Sequence, residues 1–221
     1  MIDIHTHSIE KSENVKKHFN VIVKLPVGEN AESDDLMAFD YLSVGIHPWF
    51  IETDRIKEQY ELLESYLGLA QVKFLGEIGL DKIKGPDFKI QQEVFIKQIR
   101  LAERFKKPVI IHCVRAFNEL LGIQKLIKPK VPMIIHGFNK KKEVAHTLLQ
   151  KGFYLSFGKD LLSQKHVKEA FLATDLDRVF FETDDADLNV KDIYQEASAL
   201  LGISINELEE KIYNNYLELF L

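Results

Sequence analysis

Asp3-Ile4-His5-Thr6-His7 places two imidazoles two residues apart at the end of a short apolar run. Side chains on a strand alternate with period two, so His5 and His7 are expected to point to the same side and share one metal. Four more residues of metal-ligand type follow later apolar runs: Glu77, His112, His136 and Asp184. Six such residues, each at the far end of a β-type run, describe a two-metal site at one rim of a barrel. The chemistry expected of that pattern is metal-dependent hydrolysis, in which divalent cations activate water and polarise the bond to be cleaved.

Each residue has a role in this reading. Glu77 stands in Gly76-Glu77-Ile78-Gly79-Leu80-Asp81 at the end of the fourth run, and its two carboxylate oxygens allow it to bridge two cations. His112 and His136 are expected to ligate the second metal through neutral imidazole nitrogens. Asp184, in Phe181-Glu182-Thr183-Asp184, is expected beside the first strand, where it completes the first shell and takes or orients the proton of the attacking water. Arg115, three residues past His112, has the planar fork that grips phosphate oxygens. His47 is assigned to substrate or to support of a ligand, since the other six fill two shells. Trp49 is expected to pack, Cys113 to be a small buried residue, and His18, His146 and His166 to be exposed on polar helical stretches.

The elements that must position these groups are eight short runs rich in Val, Ile, Leu and Phe. They lie near Met1–His5, Asn20–Leu25, Tyr41–Ile46, Lys73–Glu77, Pro108–His112, Pro132–His136, Phe153–Phe157 and Arg178–Glu182. Several are apolar on both faces, as strands buried between a barrel interior and outer helices should be. Helical stretches at Glu52–Gly68, Phe88–Phe105, Arg115–Ile127, Lys140–Gln150 and Asp160–Ala173 separate the later runs. Such alternation predicts an α/β fold with a parallel sheet, a compact TIM-like (β/α)8 barrel. The first two crossovers are too short for a full helix with its loops, so a barrel stunted on that side is expected. Ser204-Ile205-Asn206-Glu207 reads as a capping box opening a final helix. With no linker, repeat or low-complexity tract, one domain over 1–221 is the simplest expectation.

Composition narrows the class. The chain has 221 residues, 46% of them hydrophobic, which suits a folded globular protein. A net charge of −5 argues against a protein that coats duplex DNA with a basic surface, yet permits a pocket holding one phosphate beside cations. Cys113 is the only cysteine, so no internal disulfide forms. Without a signal-peptide pattern or a bilayer-spanning apolar run, a cytoplasmic protein with no membrane association and no obligate protein partner is expected.

Together, Asp3-Ile4-His5-Thr6-His7, Gly45-Ile46-His47-Pro48, Gly76-Glu77-Ile78-Gly79-Leu80-Asp81, Ile111-His112-Cys113-Val114-Arg115-Ala116, Ile135-His136-Gly137-Phe138, Tyr154-Leu155-Ser156-Phe157, Glu182-Thr183-Asp184 and late Asn215 carry a resemblance. In this order the chain resembles the TatD-type metal-dependent deoxyribonucleases of the amidohydrolase superfamily. The resemblance implies a TIM-like barrel, one or two divalent metal ions and hydrolysis of phosphodiesters, commonly in DNA. The histidine-rich ligand set with carboxylates suits Zn, Mn or Fe at least as well as Mg, and single strands or ends are expected as substrate over long duplex. Two departures stand out. Asp185-Ala186-Asp187-Leu188 replaces the family's small residue, Pro and aromatic, and the long loop that usually follows is absent. Three alternatives remain open: a trinuclear phosphoesterase of the polymerase-and-histidinol-phosphatase type, an amidohydrolase cleaving an amide or ester in a small molecule, and a scaffold without turnover.

Overall fold

A computed structural model of the chain describes residues 1–8, 14–23 and 39–221. Eight strands, β1 (Ile2–Thr6), β2 (Lys16–Ile22), β3 (Leu42–Gly45), β4 (Val72–Asp81), β5 (Val109–Val114), β6 (Met133–Ile135), β7 (Tyr154–Phe157) and β8 (Val179–Phe181), follow one another in the sheet in chain order. Helices α1 (Ile56–Leu67), α2 (Phe88–Phe105), α3 (Phe117–Ile127), α4 (Lys142–Gln150), α5 (Asp160–Ser163), α6 (Lys165–Leu172), α7 (Val190–Leu201) and α8 (Ile205–Glu218) are interleaved from β3 onward. This is the parallel (β/α)8 class expected from the sequence. By its contacts the chain divides into two compact units, Met1–His18 with Pro132–Leu221, and Phe19–Val131.

In the unit formed by 1–18 and 132–221, β6, β7 and β8 pair in parallel, Ile135 against Leu155 and Phe157 against Phe181. The end of β8 is clasped to β1. Asp184 N–H donates to His5 O at 3.0 Å, and His7 N–H donates to Asp184 O at 2.9 Å. Below that clasp lies Asp3, a buried carboxylate that accepts from Thr183 N–H (3.0 Å) and Thr183 Oγ1 (2.8 Å). Burial pushes its carboxyl up to about 7, the Thr183 hydrogen bonds and the Lys17 charge offsetting part of the cost and the Glu182 charge adding to it. The Tyr194 hydroxyl of α7 accepts from Ile2 N–H and donates to Ile2 O, each at 3.0 Å. Asn215 of α8 donates to Leu176 O and Val179 O at the entrance of β8. The capping box that opens α8 is present, with Ser204 and Glu207 bonding reciprocally.

In the unit formed by 19–131, β2 to β5 pair in parallel, with Ile22 opposite Gly45, Val44 opposite Leu75 and Gly79 opposite His112. Three buried glutamines brace the backbone at and beyond the strand ends. Gln98 of α2 clamps both backbone groups of Ile46 (2.8 and 3.0 Å). Gln91 of α2 does the same for Asp81 (2.8 and 3.0 Å), and Gln59 of α1 holds Glu52 N–H, Val23 O and Phe50 O. A buried loop backbone must find such partners, and side-chain amides offer a donor and an acceptor at once.

Several expectations are corrected. Glu77 lies inside β4, not at its end, because the flanking glycines let β4 approach β5 closely instead of ending the strand. A Cβ on Gly79 (φ +157) would lie 1.9 Å from His112 O, and one on Gly76 would lie 2.7 Å from Ile110 Cβ. The β4–β5 register shifts between Leu75 and Ile78 and then pairs through Asp81 and Val114. The second strand begins at Lys16, which buries His18 beside Tyr216, ring centroids 5.2 Å apart, where an exposed histidine was expected. His166 is half-buried, its Nε2 3.1 Å from Asn139 O, whereas His146 is exposed. The helix expected over 160–173 is two, broken at Gln164, and α7 was not anticipated. Most of the stunted second crossover and part of the first lie outside the described residues.

Two outcomes follow. Gly79→Ala should lower stability by about 2 kcal/mol or more, since the backbone angle and the contact with His112 O both oppose a methyl group. Denaturant melts that matched the parent would remove the close β4–β5 approach. For Asp3, the folded chain binds the proton more tightly than the unfolded chain. Its contribution is therefore full below pH 3.8 and is lost as pH rises through about 7. In metal-free protein, Asp3→Asn should flatten the fall of stability across that window; an unchanged slope would assign it to other groups.

Candidate metal centre

Within the unit of 1–18 and 132–221, the β1–β8 clasp brings together three expected ligands. His5 Nε2 and His7 Nε2 lie 3.5 and 3.6 Å from the same oxygen, Asp184 Oδ1. The two imidazoles stand edge to face, centroids 5.2 Å apart, as a His-x-His on one side of a strand end should. Ligand atoms of His5, His7 and Asp184 all lie within 4.8 Å of one another. Asp184 takes a left-handed backbone (φ +53), uncommon outside glycine. Its backbone groups stay tied to β1 while its carboxylate reaches both imidazoles.

His136, just past β6, stacks obliquely on His5 with centroids 4.6 Å apart. Its Nδ1 lies 3.5 Å from Oε1 of Glu182, an oxygen that also accepts from Gly137 N–H. Glu182 is fully buried, and its Oε2 has no hydrogen-bond partner among the described residues. An uncompensated carboxylate oxygen in such a place is costly, and it is matched by a cation more readily than by anything the chain supplies there. Glu182 falls with His136 and Asp184 in a second group of ligand atoms within 4.8 Å. Beside it, Gly137, Gly158, Lys159, Thr183 and Asp184 line a cavity of about 90 Å³. Lys159 Nζ is paired with Asp185 Oδ1 at 3.1 Å.

Within the unit of 19–131, His47, Glu77 and His112 form a third such group, all buried. Glu77 Oε1 lies 2.8 Å from His112 Nδ1 and 3.2 Å from His47 Nε2. Asn20 Oδ1 receives Glu77 N–H at 2.9 Å and Ser43 Oγ at 3.1 Å, which fixes the backbone from which Glu77 projects. His47 Nδ1 accepts Trp49 N–H at 3.1 Å, so the ring proton sits on Nε2 and faces Glu77. That tautomer suits the supporting role expected of His47. His112 Nε2 meets Asp81 Oδ2 at 3.0 Å. Burial works against ionisation of Asp81, but hydrogen bonds from His112, Trp49, Ile83 and Lys84 outweigh it and hold the carboxyl below its ordinary value.

Arg115 follows β5 in a left-handed conformation (φ +53) and is exposed, with no hydrogen bond or ion pair among the described residues. Trp49 is 37% exposed; it packs edge-on against His47 and His112, and Lys84 Nζ sits 3.7 Å over its ring. Asp81 and Glu182 are the site residues the sequence reading passed over. Both stand inside quoted motifs, where a carboxylate beside an assigned ligand was the available signal.

The donors fit a divalent cation. Imidazole nitrogens and carboxylate oxygens are the atoms that Zn and Mn prefer, and Mg takes the carboxylates. The comparisons agree. A family model described as TatD related DNase matches residues 2–221. The chain is 28% identical over 193 residues to an uncharacterized metal-dependent hydrolase of Methanocaldococcus jannaschii, covering 81% of this chain and 75% of that one. It is 30% identical over 197 residues to the uncharacterized metal-dependent hydrolase YcfH of Escherichia coli K12, covering 80% and 72%. Among solved structures, the TatD homolog YJJV of Escherichia coli K12 superposes with a TM-score of 0.77 at 24% identity, covering 93% of this chain and 86% of that one. A TatD-family hydrolase of Entamoeba histolytica gives 0.78 at 16% identity, covering 100% and 97%. A motif order that spans the chain, imidazole–carboxylate groups in both units and a matching fold thus lead to one conclusion: this chain belongs to the TatD-related DNase family of metal-dependent hydrolases.

Proposed function

We propose that the chain hydrolyses phosphodiester bonds, with single-stranded DNA or DNA ends as the substrate class, in the cytoplasm and without an obligate protein partner. The observation that carries this reading is the convergence of His5 Nε2 and His7 Nε2 on Asp184 Oδ1. The ligand set remains that expected from the sequence: His5, His7, Glu77, His112, His136 and Asp184. One or two divalent cations held by these residues would supply Lewis acidity and a water acidic enough to attack near neutral pH.

The chain's own groups do the rest. Asp184, whose carboxylate faces both imidazoles, accepts the proton of the attacking water. Glu77, whose Oε1 faces both His47 and His112, is the carboxylate ligand of that group. Arg115 faces solvent without a carboxylate partner among the described residues, so its fork is open to two phosphate oxygens. The acidic replacement after Asp184 is partly offset, because Asp185 is paired with Lys159; Asp187 is exposed. This neutralisation favours a phosphodiester over a small-molecule amide or ester.

Purified protein, stripped with chelator and reloaded with Mg, Mn or Zn, should cleave single-stranded DNA or a chromogenic phosphodiester. Activity confined to an amide would overturn the substrate assignment. Asp184→Asn should fold normally and lose about 10²-fold or more in turnover; near-native rates would remove Asp184 from the chemistry. Arg115→Ala should raise KM about tenfold or more with a smaller change in kcat, the value of a charge-assisted hydrogen bond to phosphate. An unchanged KM would leave Arg115 a surface residue.

A further inference from the structure

Asp81 lies outside the expected ligand set, yet it is among the most tightly held side chains of its unit. It is 2% exposed. Oδ1 accepts Ile83 N–H at 2.7 Å and Lys84 N–H at 3.1 Å, while Oδ2 accepts Trp49 Nε1–H at 2.7 Å. Gln91 holds the Asp81 backbone N–H and C=O. A carboxylate with this many donors has its lone pairs directed and mostly used. Its remaining contact is His112 Nε2, 3.0 Å from Oδ2.

The other ring nitrogen faces a different group. His112 Nδ1 lies 2.8 Å from Glu77 Oε1, which also meets His47 Nε2. A neutral imidazole carries one proton and one lone pair, and a metal takes the lone pair. When one nitrogen ligates, the other must find an acceptor, and a fixed acceptor there selects tautomer and ring orientation. Asp81, whose other lone pairs are taken by the Trp49 indole and a turn backbone, suits the acceptor role, which leaves Nδ1, on the Glu77 side, for the ligand role.

We propose that Asp81 is the positioning residue of His112: held by Trp49 and the 82–84 turn, it accepts the ring Nε2–H and so presents Nδ1 to the cation on the Glu77 side. The assignment rests on the reading above that His112 and Glu77 hold a cation. It also gives the partly exposed Trp49 a purpose that packing alone does not: its indole N–H aims the carboxylate that aims the imidazole.

Zinc affinity, measured by competition with a chromogenic chelator, tests the proposal alongside NMR of 15N-histidine-labelled zinc-loaded protein. Asp81→Asn should weaken zinc binding about 10- to 100-fold, the usual cost of losing such a partner. The single Nε2–H signal of His112 should become mixed or exchange faster. Trp49→Phe, which leaves the carboxylate but removes one donor, should cost a few-fold. Asp81→Asn with parental affinity and an unchanged Nε2–H signal would overturn the proposal. Should Asp81→Asn fail to fold, zinc-loaded parent protein still decides: a proton on Nδ1 with metal on Nε2 would be fatal. His112→Ala separates the two readings. Parental zinc affinity in that variant would overturn His112 as a ligand, whereas lost affinity there with intact binding in Asp81→Asn would strike only the positioning role.

Discussion

Four carboxylates lie buried among the described residues beside histidines or hydroxyls: Asp3 and Glu182 in one unit, Glu77 and Asp81 in the other. Burying a carboxylate without compensation costs several kcal/mol, so each needs donors or a cation. The chain meets that demand unevenly. Asp3 and Asp81 are supplied by hydroxyl, indole, imidazole and backbone donors. Glu182 leaves one oxygen unmatched among the described residues, and Glu77 turns one oxygen toward two imidazoles. At Asp3 and Asp81 the chain itself meets the demand, whereas the Glu182 oxygen is left for a cation to match.

The (β/α)8 framework makes that arrangement possible. Parallel strands deliver their carboxyl ends to one side, and the loops beyond them must leave regular pairing. Loops that leave pairing near a buried site need other partners, which here are Gln59, Gln91 and Gln98, reaching out of the helices to hold backbone near Glu52, Asp81 and Ile46. Replacing any of these by an apolar residue of similar size would strand backbone groups beside His47 or Asp81. Helix packing and site geometry are therefore coupled through three amides. Their helical positions explain why they read from sequence as ordinary polar residues on amphipathic faces.

Left-handed backbone closes helices α2 and α3 at Lys106 and Lys128, and it also shapes two positions assigned to the site. Asp184 and Arg115 both have φ near +53. At Asp184 the turn lets one residue bond β1 through its backbone while its carboxylate reaches His5 and His7. At Arg115 it ends β5 and turns the side chain to solvent. Strain of about 1 kcal/mol or more at such points is tolerated when neighbouring contacts over-determine the conformation.

Strand–helix alternation, the spacing of His5 and His7, and the placement of His136 and Asp184 after apolar runs were legible in the residues, since local periodicity and residue type determine them. His112, expected at the end of the fifth strand, lies inside β5, whose pairing with β4 continues to Val114. The ends of α2 and the cap of α8 were legible too. Other features depended on contacts distant in sequence. Glu77 proved internal to β4 because Gly79 admits the backbone of His112, and His18 was buried because Tyr216 covers it. Asp81 and Glu182 acquired their meaning only from the histidine nitrogens facing them. A sequence states which groups can donate, accept or ligate; which of those capacities is consumed by a neighbour and which is left open is settled only when the chain has folded.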